Sequence, residues 1–152
     1  MTGTDTGVGK TVLTACLAAQ GCRRGWKVAA LKPLCSGDRG DALALWKAAG
    51  GVTPLDEVNP WHFQAPLAPL LAARRERRRV SLSDVLRHVR AIRRRFDFTL
   101  VEGAGGLLSP LGEGFSSLDL IVNGCVPVST RRSRRGITGP APLRSVNSTM
   151  TK

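Results

Sequence analysis

The sequence predicts an α/β fold with a mainly parallel sheet, and three observations carry that reading. Stretches with helical spacing alternate with short apolar runs in the order helix, strand, helix, helix, strand. The chain between the two clearest strands, residues 26–33 and 96–101, is long enough to cross over a sheet and return parallel. A glycine-rich loop near the N-terminus runs straight into the first helix, and a second glycine-rich loop follows the last strand. The length of 152 residues suits one domain. With 42% hydrophobic residues, a chain of this size can bury a core without disulfides.

In order along the chain, residues 11–25 read as a helix with Leu13, Cys16 and Leu17 along one side, stopped by Gly21 or Gly25. Residues 26–33 are a short buried strand closed by Lys32-Pro33, and LCSGDRG (34–40) is a loop. DALALWKAAGG (41–51) is a second helix, with Asp41 in the first turn, where a carboxylate suits the helix dipole. Residues 52–69 are proline-rich connecting chain without a clear period, and 67–79 form a short helix. Residues 81–97 carry the clearest helical pattern: Leu82, Val85, Leu86, Val89 and Ile92 recur at helical spacing. Ser81 followed by Asp84 resembles a capping box there. FDFTLV (96–101) is a strand, EGAGGLLSPLGEG (102–114) is the second glycine-rich loop, and SSLDLIV (116–122) begins a helix or a strand.

The net charge is +12, and its distribution matters more than its total. Residues 74–95 hold ten arginines against Glu76 and Asp84, a net of +8, and residues 123–152 hold a net of +6 with no acid. No aromatic residues are interleaved with the arginines and tyrosine is absent, so a solvated basic helix face is preferred over a nucleic-acid interface. Apolar runs are too short and too often broken by Gly, Pro or Arg for a membrane span or a signal peptide, so a cytoplasmic location is expected. Cys16, Cys22, Cys35 and Cys125 form no C-x-x-C pair and have no histidine cluster beside them, which favours plain thiols over zinc or redox chemistry. After about Val122 large apolar residues become sparse; residues 1–122 are read as the folded domain and 123–152 as a basic, disordered tail.

The first loop has a specific physical logic. In Gly7-Val8-Gly9-Lys10-Thr11 the glycines allow a tight backbone turn that points N–H groups inward at phosphate oxygens, and the helix adds its positive N-terminal end. Lys10 is expected to reach the β- and γ-phosphates and Thr11 to offer its hydroxyl to Mg2+. The usual first glycine of this pattern is Thr4 here, with Gly3 one place earlier.

Five motifs in order, GTDTGVGKT, LKPLCSG, DALAL, VNP and VEGAGGLLSPL, make the chain from about Thr2 to Val122 resemble the dethiobiotin synthetases, P-loop ATP-dependent cyclo-ligases of biotin synthesis. The resemblance implies a P-loop NTPase-like three-layer fold and a defined reaction. Diaminopelargonic acid takes up CO2 as a carbamate, the γ-phosphate of ATP passes to that carbamate, and the second amine closes the ureido ring with release of phosphate. Every species on this path is anionic, so cations and positioning carry the catalysis. By resemblance, Lys10 and Lys32 are the catalytic cations, with Lys32 touching the carbamate and the γ-phosphate and Ser36 bonding the carbamate or the amine. Thr6, Gly7, Val8, Gly9, Lys10, Thr11, Glu102, Gly103 and Gly105 would form the nucleotide site, Thr6 also lying near the substrate. Thr11, Asp41 and Glu102 would hold Mg2+, Glu102 standing directly after an apolar strand as a Walker-B-type acid does. Cys35 has no assigned role, Gly7 stands where some members carry an acid, and Asn59-Pro60 matches a motif of mainly structural meaning. The resemblance further implies ATP, CO2 or bicarbonate and diaminopelargonic acid as partners, and a homodimer when complete.

Three other readings share parts of this pattern: a cobyrinic-acid-type amide synthetase domain, a partition-type P-loop ATPase binding DNA through its arginines, and an inactive nucleotide-binding remnant. The sequence departs from the family at both ends. Only Met1 and Thr2 precede Gly3, so the strand from which such a loop springs is expected to be missing, and the C-terminal part is missing or replaced. Ring closure by these 152 residues alone is therefore expected to be weak or absent. An assay of ATP- and CO2-dependent dethiobiotin formation checks this, and robust turnover by the purified chain overturns it.

Overall fold

The computed structural model describes residues 1–124. Of the tail expected at 123–152, Asn123 and Gly124 belong to the last helix, and the rest, from residue 125 onward with Cys125, lies outside the described residues. The elements run α1 (Lys10–Arg23), β1 (Val28–Leu31), β2 (Leu34–Ser36), α2 (Gly40–Ala48), α3 (Leu55–Val58), β3 (Trp61–Phe63), α4 (Pro69–Arg75), α5 (Leu82–Arg93), β4 (Phe98–Val101), β5 (Pro110–Gly112), β6 (Phe115–Ser116) and α6 (Ser117–Gly124). The two strand pairs that bracket the crossover helices, β1 with β4 and β2 with β3, are parallel, and β5 with β6 is a small antiparallel hairpin. The α/β class with mainly parallel pairing is as the sequence predicts.

Alternation along β1 builds the three layers. Val28 and Ala30 face one way and pack with Ala18 of α1 and with Leu45 and Ala49 at α2, while Ala29 and Leu31 face the other way and pack with Ile92 of α5. A third cluster, centred on Phe63, Leu34, Val85, Leu111 and Leu120, ties β2, β3 and α4 to the hairpin and α6. Among the described residues no helix is long and apolar enough to cross a membrane.

The helices form for local reasons visible in their ends. Ser81 caps α5, its hydroxyl oxygen accepting from the Asp84 amide at 3.2 Å while its hydroxyl donates to the Asp84 carboxylate at 2.6 Å, so Asp serves in the capping-box position. That hydroxyl bond, with Arg87 adding to it, holds the Asp84 carboxyl below its ordinary value. Pro69 opens α4, where its missing N–H costs nothing. Gly25 at φ 79° follows α1 in the left-handed region that ends helices.

Several expectations are corrected. The loop read at 34–40 begins with β2, and the connecting chain read at 52–69 contains α3 and β3; each is only three or four residues, too short to show a period, and β2 and β3 exist because they pair with each other in register from Leu34↔Trp61 to Ser36↔Phe63. The second glycine-rich loop, read at 102–114, contains β5, and the segment read at 116–122 ends β6 at Ser116 and is helical from Ser117. On α1 the inward side is Thr14, Ala18 and Gly21, with Leu13 and Leu17 exposed, because the helix lies so close to the sheet that a Cβ on Gly21 would sit 2.7 Å from Val28 Cγ2. No strand occurs among residues 1–9. Instead the Met1 ammonium donates to the Val101 carbonyl and the Gly103 amide donates to the Met1 carbonyl at 3.0 Å, one rung of parallel pairing at the end of β4.

Phe63 is fully buried at the centre of the largest cluster, so Phe63→Ala should lower the unfolding free energy by about 3–5 kcal/mol, whereas Ser81→Ala should cost about 1 kcal/mol for the lost cap. Urea unfolding followed by circular dichroism measures both, and equal losses would contradict this ranking.

Candidate functional site

The register between β1 and β4 positions the centre of the site. Leu31 pairs with Val101, and the Glu102 amide donates to the Leu31 carbonyl at 2.8 Å, so Lys32 and Glu102 leave the two strands at the same level. The Lys32 ammonium lies 2.6 Å from Glu102 Oε1 and 2.8 Å from Asp41 Oδ2, the latter brought in by the first turn of α2. It also donates to the Gly103 carbonyl at 3.4 Å. The Thr11 hydroxyl, one residue into α1, donates to the same Glu102 oxygen at 2.7 Å. The sequence-predicted residues Thr11, Lys32, Asp41 and Glu102, distant in the chain, are thus one hydrogen-bonded cluster.

Electrostatics follow from burial. Burial works against the Lys32 ammonium, but the hydrogen bonds and charges of Asp41 and Glu102 outweigh it and raise its pKa above the ordinary lysine value. Partial burial also works against the Asp41 carboxylate. The Lys32 bond and charge overcome this, helped by the Thr11 hydroxyl and the charge of Lys10, and hold Asp41 below the usual range. Asp41 therefore adds stability above its unfolded pKa that fades as pH falls through its lowered folded value; Lys32 adds stability below its ordinary pKa that fades as pH rises through its raised one. Glu102 is fully buried, and its second oxygen, Oε2, has no hydrogen-bond partner. An unpartnered carboxylate oxygen in such a place is unusual and fits a cation or a donor from a ligand. Among the described residues no three His, Cys, Asp or Glu gather as a metal cluster, so a cation here would rest on Asp41, Glu102 and the Thr11 hydroxyl. That small set of hard oxygens suits Mg2+, which keeps several of its waters.

The glycine loop lies beside this cluster. Gly7 and Gly9 have φ 79° and 85°, and a Cβ at either would meet nothing within 4 Å, so backbone conformation and not space is what asks for glycine. Gly9 is the N-cap of α1, and its carbonyl accepts from the Leu13 amide at 3.0 Å. Thr6 and Val8 are exposed, the Thr6 amide donating to Asp5 Oδ1 at 2.6 Å. Lys10 is buried; its ammonium turns back to donate to the Asp5 carbonyl, while its own carbonyl accepts from Thr14 Oγ1 at 2.8 Å. Gly3 serves close approach, since a Cβ there would stand 2.7 Å from Val8 Cγ2.

Of the other predicted residues, Gly103 touches the cluster through its carbonyl, while Ser36 and Gly105 have their contacts elsewhere. Ser36 ends β2 and its hydroxyl donates to the Leu67 carbonyl instead. Gly103 faces the Ser117 hydroxyl, and Gly105, at φ 68°, faces Ser109. The glycine that meets the first loop is Gly106, where a Cβ would lie 2.5 Å from the Thr4 carbonyl oxygen. Sequence reasoning passed over it, although the pair of adjacent glycines at 105 and 106 was the available signal. Cys35 is a buried thiol whose Sγ donates to the Asp38 carbonyl at 3.2 Å, and burial pushes its pKa up. Among the described residues Cys16, Cys22 and Cys35 are all free.

Comparisons with known proteins bear on this site. A family model described as an AAA domain matches residues 1–128. The ATP-dependent dethiobiotin synthetase BioD of Anaeromyxobacter sp. (strain Fw109-5) is 46% identical over 126 residues, which are 80% of this chain and 56% of that protein. The protein of the same name from Anaeromyxobacter dehalogenans (strain 2CP-C) is 44% identical over 132 residues, 84% of this chain and 59% of that one. That of Bacillus velezensis is 38% identical over 126 residues, 80% of this chain and 54% of that one. The chain spans a little over half the length of these curated relatives. The family match takes in every described element from α1 to α6, and the chain therefore belongs to the AAA-domain family.

Proposed function

We propose that this chain carries the phosphoryl-transfer centre of an ATP-dependent dethiobiotin synthetase. The single observation that carries the reading is the buried Glu102 carboxylate: one oxygen is held by Lys32 and Thr11, the other has no partner, and the glycine loop lies alongside. Named dethiobiotin synthetases that are 38% to 46% identical support the same reaction.

In this reading the amides of residues 6–11 and the Lys10 ammonium bind the β- and γ-phosphates of ATP, the lysine leaving the Asp5 carbonyl to do so. Thr11, Asp41 and Glu102 hold Mg2+, which neutralises charge on the phosphate oxygens when bound. Lys32, kept cationic by its two carboxylates, lies against the carbamate and the transferring phosphoryl group, where negative charge accumulates. Ser36 orients the carbamate or the amine, and the backbone at Gly103 and Gly105 lines the nucleotide. No protein nucleophile is required: CO2 and one amine of 7,8-diaminopelargonic acid form the carbamate, its oxygen takes the γ-phosphoryl group, and the second amine displaces phosphate as the ring closes. A cytoplasmic homodimer belongs to the same reading.

Binding is the direct test, because it rests on described residues. Isothermal titration should show Mg-ATP binding to the chain. Lys10→Ala should weaken it by about tenfold to a hundredfold, the size of one lost charge-assisted hydrogen bond. Thr11→Val should remove most of the gain in affinity that Mg2+ confers on ATP. A wild-type chain that is folded by circular dichroism yet binds no Mg-ATP sinks the reading.

A further inference from the structure

The start of α2 breaks a local rule. Its N-cap is Arg39, with no side-chain cap bond, where Ser, Thr, Asp or Asn is favoured and where a cation opposes the positive end of the helix. The guanidinium is not spent on solvent. Its Nε donates to Asn59 Oδ1 at 3.0 Å, and its Nη2 to the Asn59 carbonyl at 2.9 Å, to Asp56 Oδ1 at 2.7 Å and to the Leu55 carbonyl at 3.4 Å. The Asp56 side chain is 90% exposed, so that ion pair contributes little, and the bonds to Asn59 are the substantial ones. Asn59 is only 1% exposed, and its Nδ2 donates to the Lys32 carbonyl at 2.7 Å and to the Pro33 carbonyl at 3.4 Å. The Lys32 amide in turn donates to the Val58 carbonyl at 3.0 Å.

These contacts close a ring. Lys32 reaches Asp41 through its side chain; Asp41 is two residues from Arg39; Arg39 holds Asn59; and Asn59 holds the backbone of Lys32. Without Arg39, α2 would be tied to the end of β1 by the Lys32–Asp41 bond near its start and by packing at Ala42 and Leu45. With it, the carboxylate and the ammonium are fixed from both sides. We propose that Arg39 and Asn59 are positioning residues, a clasp that sets Asp41 against Lys32 and thereby places the carboxylate for a magnesium-bound nucleotide. The local penalty at the helix start is offset by this longer-range role. The inference rests on the reading given under Proposed function for what Asp41 holds, but not for the clasp itself.

The test compares the full chain with Arg39→Ala, Arg39→Lys, Asp41→Asn and the Arg39→Ala/Asp41→Asn double variant. Arg39→Ala should weaken binding of ATP in the presence of Mg2+ by about tenfold, the usual effect of losing a partner of a metal ligand, and leave ATP binding in EDTA unchanged. Arg39→Lys, with one donor group in place of the planar fork, should recover only part of the loss. In the Asp41→Asn background the further change to Arg39→Ala should be below about twofold, because the clasp then has nothing left to place. Hydrogen exchange supplies a readout independent of nucleotide: the amides of Leu43, which donates to the Arg39 carbonyl, and Ala44 should exchange at least about tenfold faster in Arg39→Ala while those of α5 keep their rates. Equal loss of affinity in both backgrounds, or loss in EDTA as well, overturns the positioning role. Should the wild-type chain bind no Mg-ATP, the proposed function falls, and the exchange experiment alone decides the clasp, unchanged rates at Leu43 and Ala44 refuting it.

Discussion

Everything at the site depends on the alignment of two four-residue strands. Pairing Leu31 with Val101 delivers the next residue of each strand, Lys32 and Glu102, to the same height, and the two side chains meet at 2.6 Å. A slip of one residue would turn Ala29 and Leu31 away from Ile92, and Val28 and Ala30 away from α1 and α2. The apolar packing on both faces therefore fixes the register, and the register fixes the ion pair. Residues without a charge thus decide where the charges stand.

Glu102 gives that arrangement its energetic weight. A carboxylate removed from solvent is held by two bonds to one oxygen, from Lys32 and Thr11. Depriving such a group of its cation leaves an uncompensated buried charge, with a penalty of about 3–5 kcal/mol. Lys32 is therefore a structural residue in its own right, and under the proposed function the two demands agree: the ammonium that neutralises the acid is the one that would meet the anionic groups of the ligand. Asp41, half-exposed, completes the arrangement from the solvent side.

The sequence made much of this legible, and the reasons differ by element. The glycine loop was legible because the left-handed backbone at Gly7 and Gly9 has few other solutions. The helix α5 was legible because five apolar residues share one face and Ser81 caps it. Glu102 was legible because it directly follows an apolar run, whereas Lys32 stood out only through the resemblance of LKPLCSG to the family motif. Strands β2 and β3 were not legible, since three residues show no period and their pairing joins Cys35 to His62 across distant chain. The inward face of α1 was obscured by its own leucines: apolar residues at 13 and 17 draw the eye, but a helix so near the sheet admits only small side chains. Gly106 and Arg39 were missed for a related reason, because their significance lies in what comes near them in space and not in their own conformation.

The Asp5 carbonyl that receives the Lys10 ammonium has a last implication. A lysine so engaged has already shed much of its hydration while the chain folds, and it waits on a neutral dipole. An arriving anion would trade that dipole for a full negative charge, so the expense of stripping water from the cation falls on folding and not on recognition. Under the proposed function the lysine would thus meet a phosphate with part of its desolvation already met by the fold.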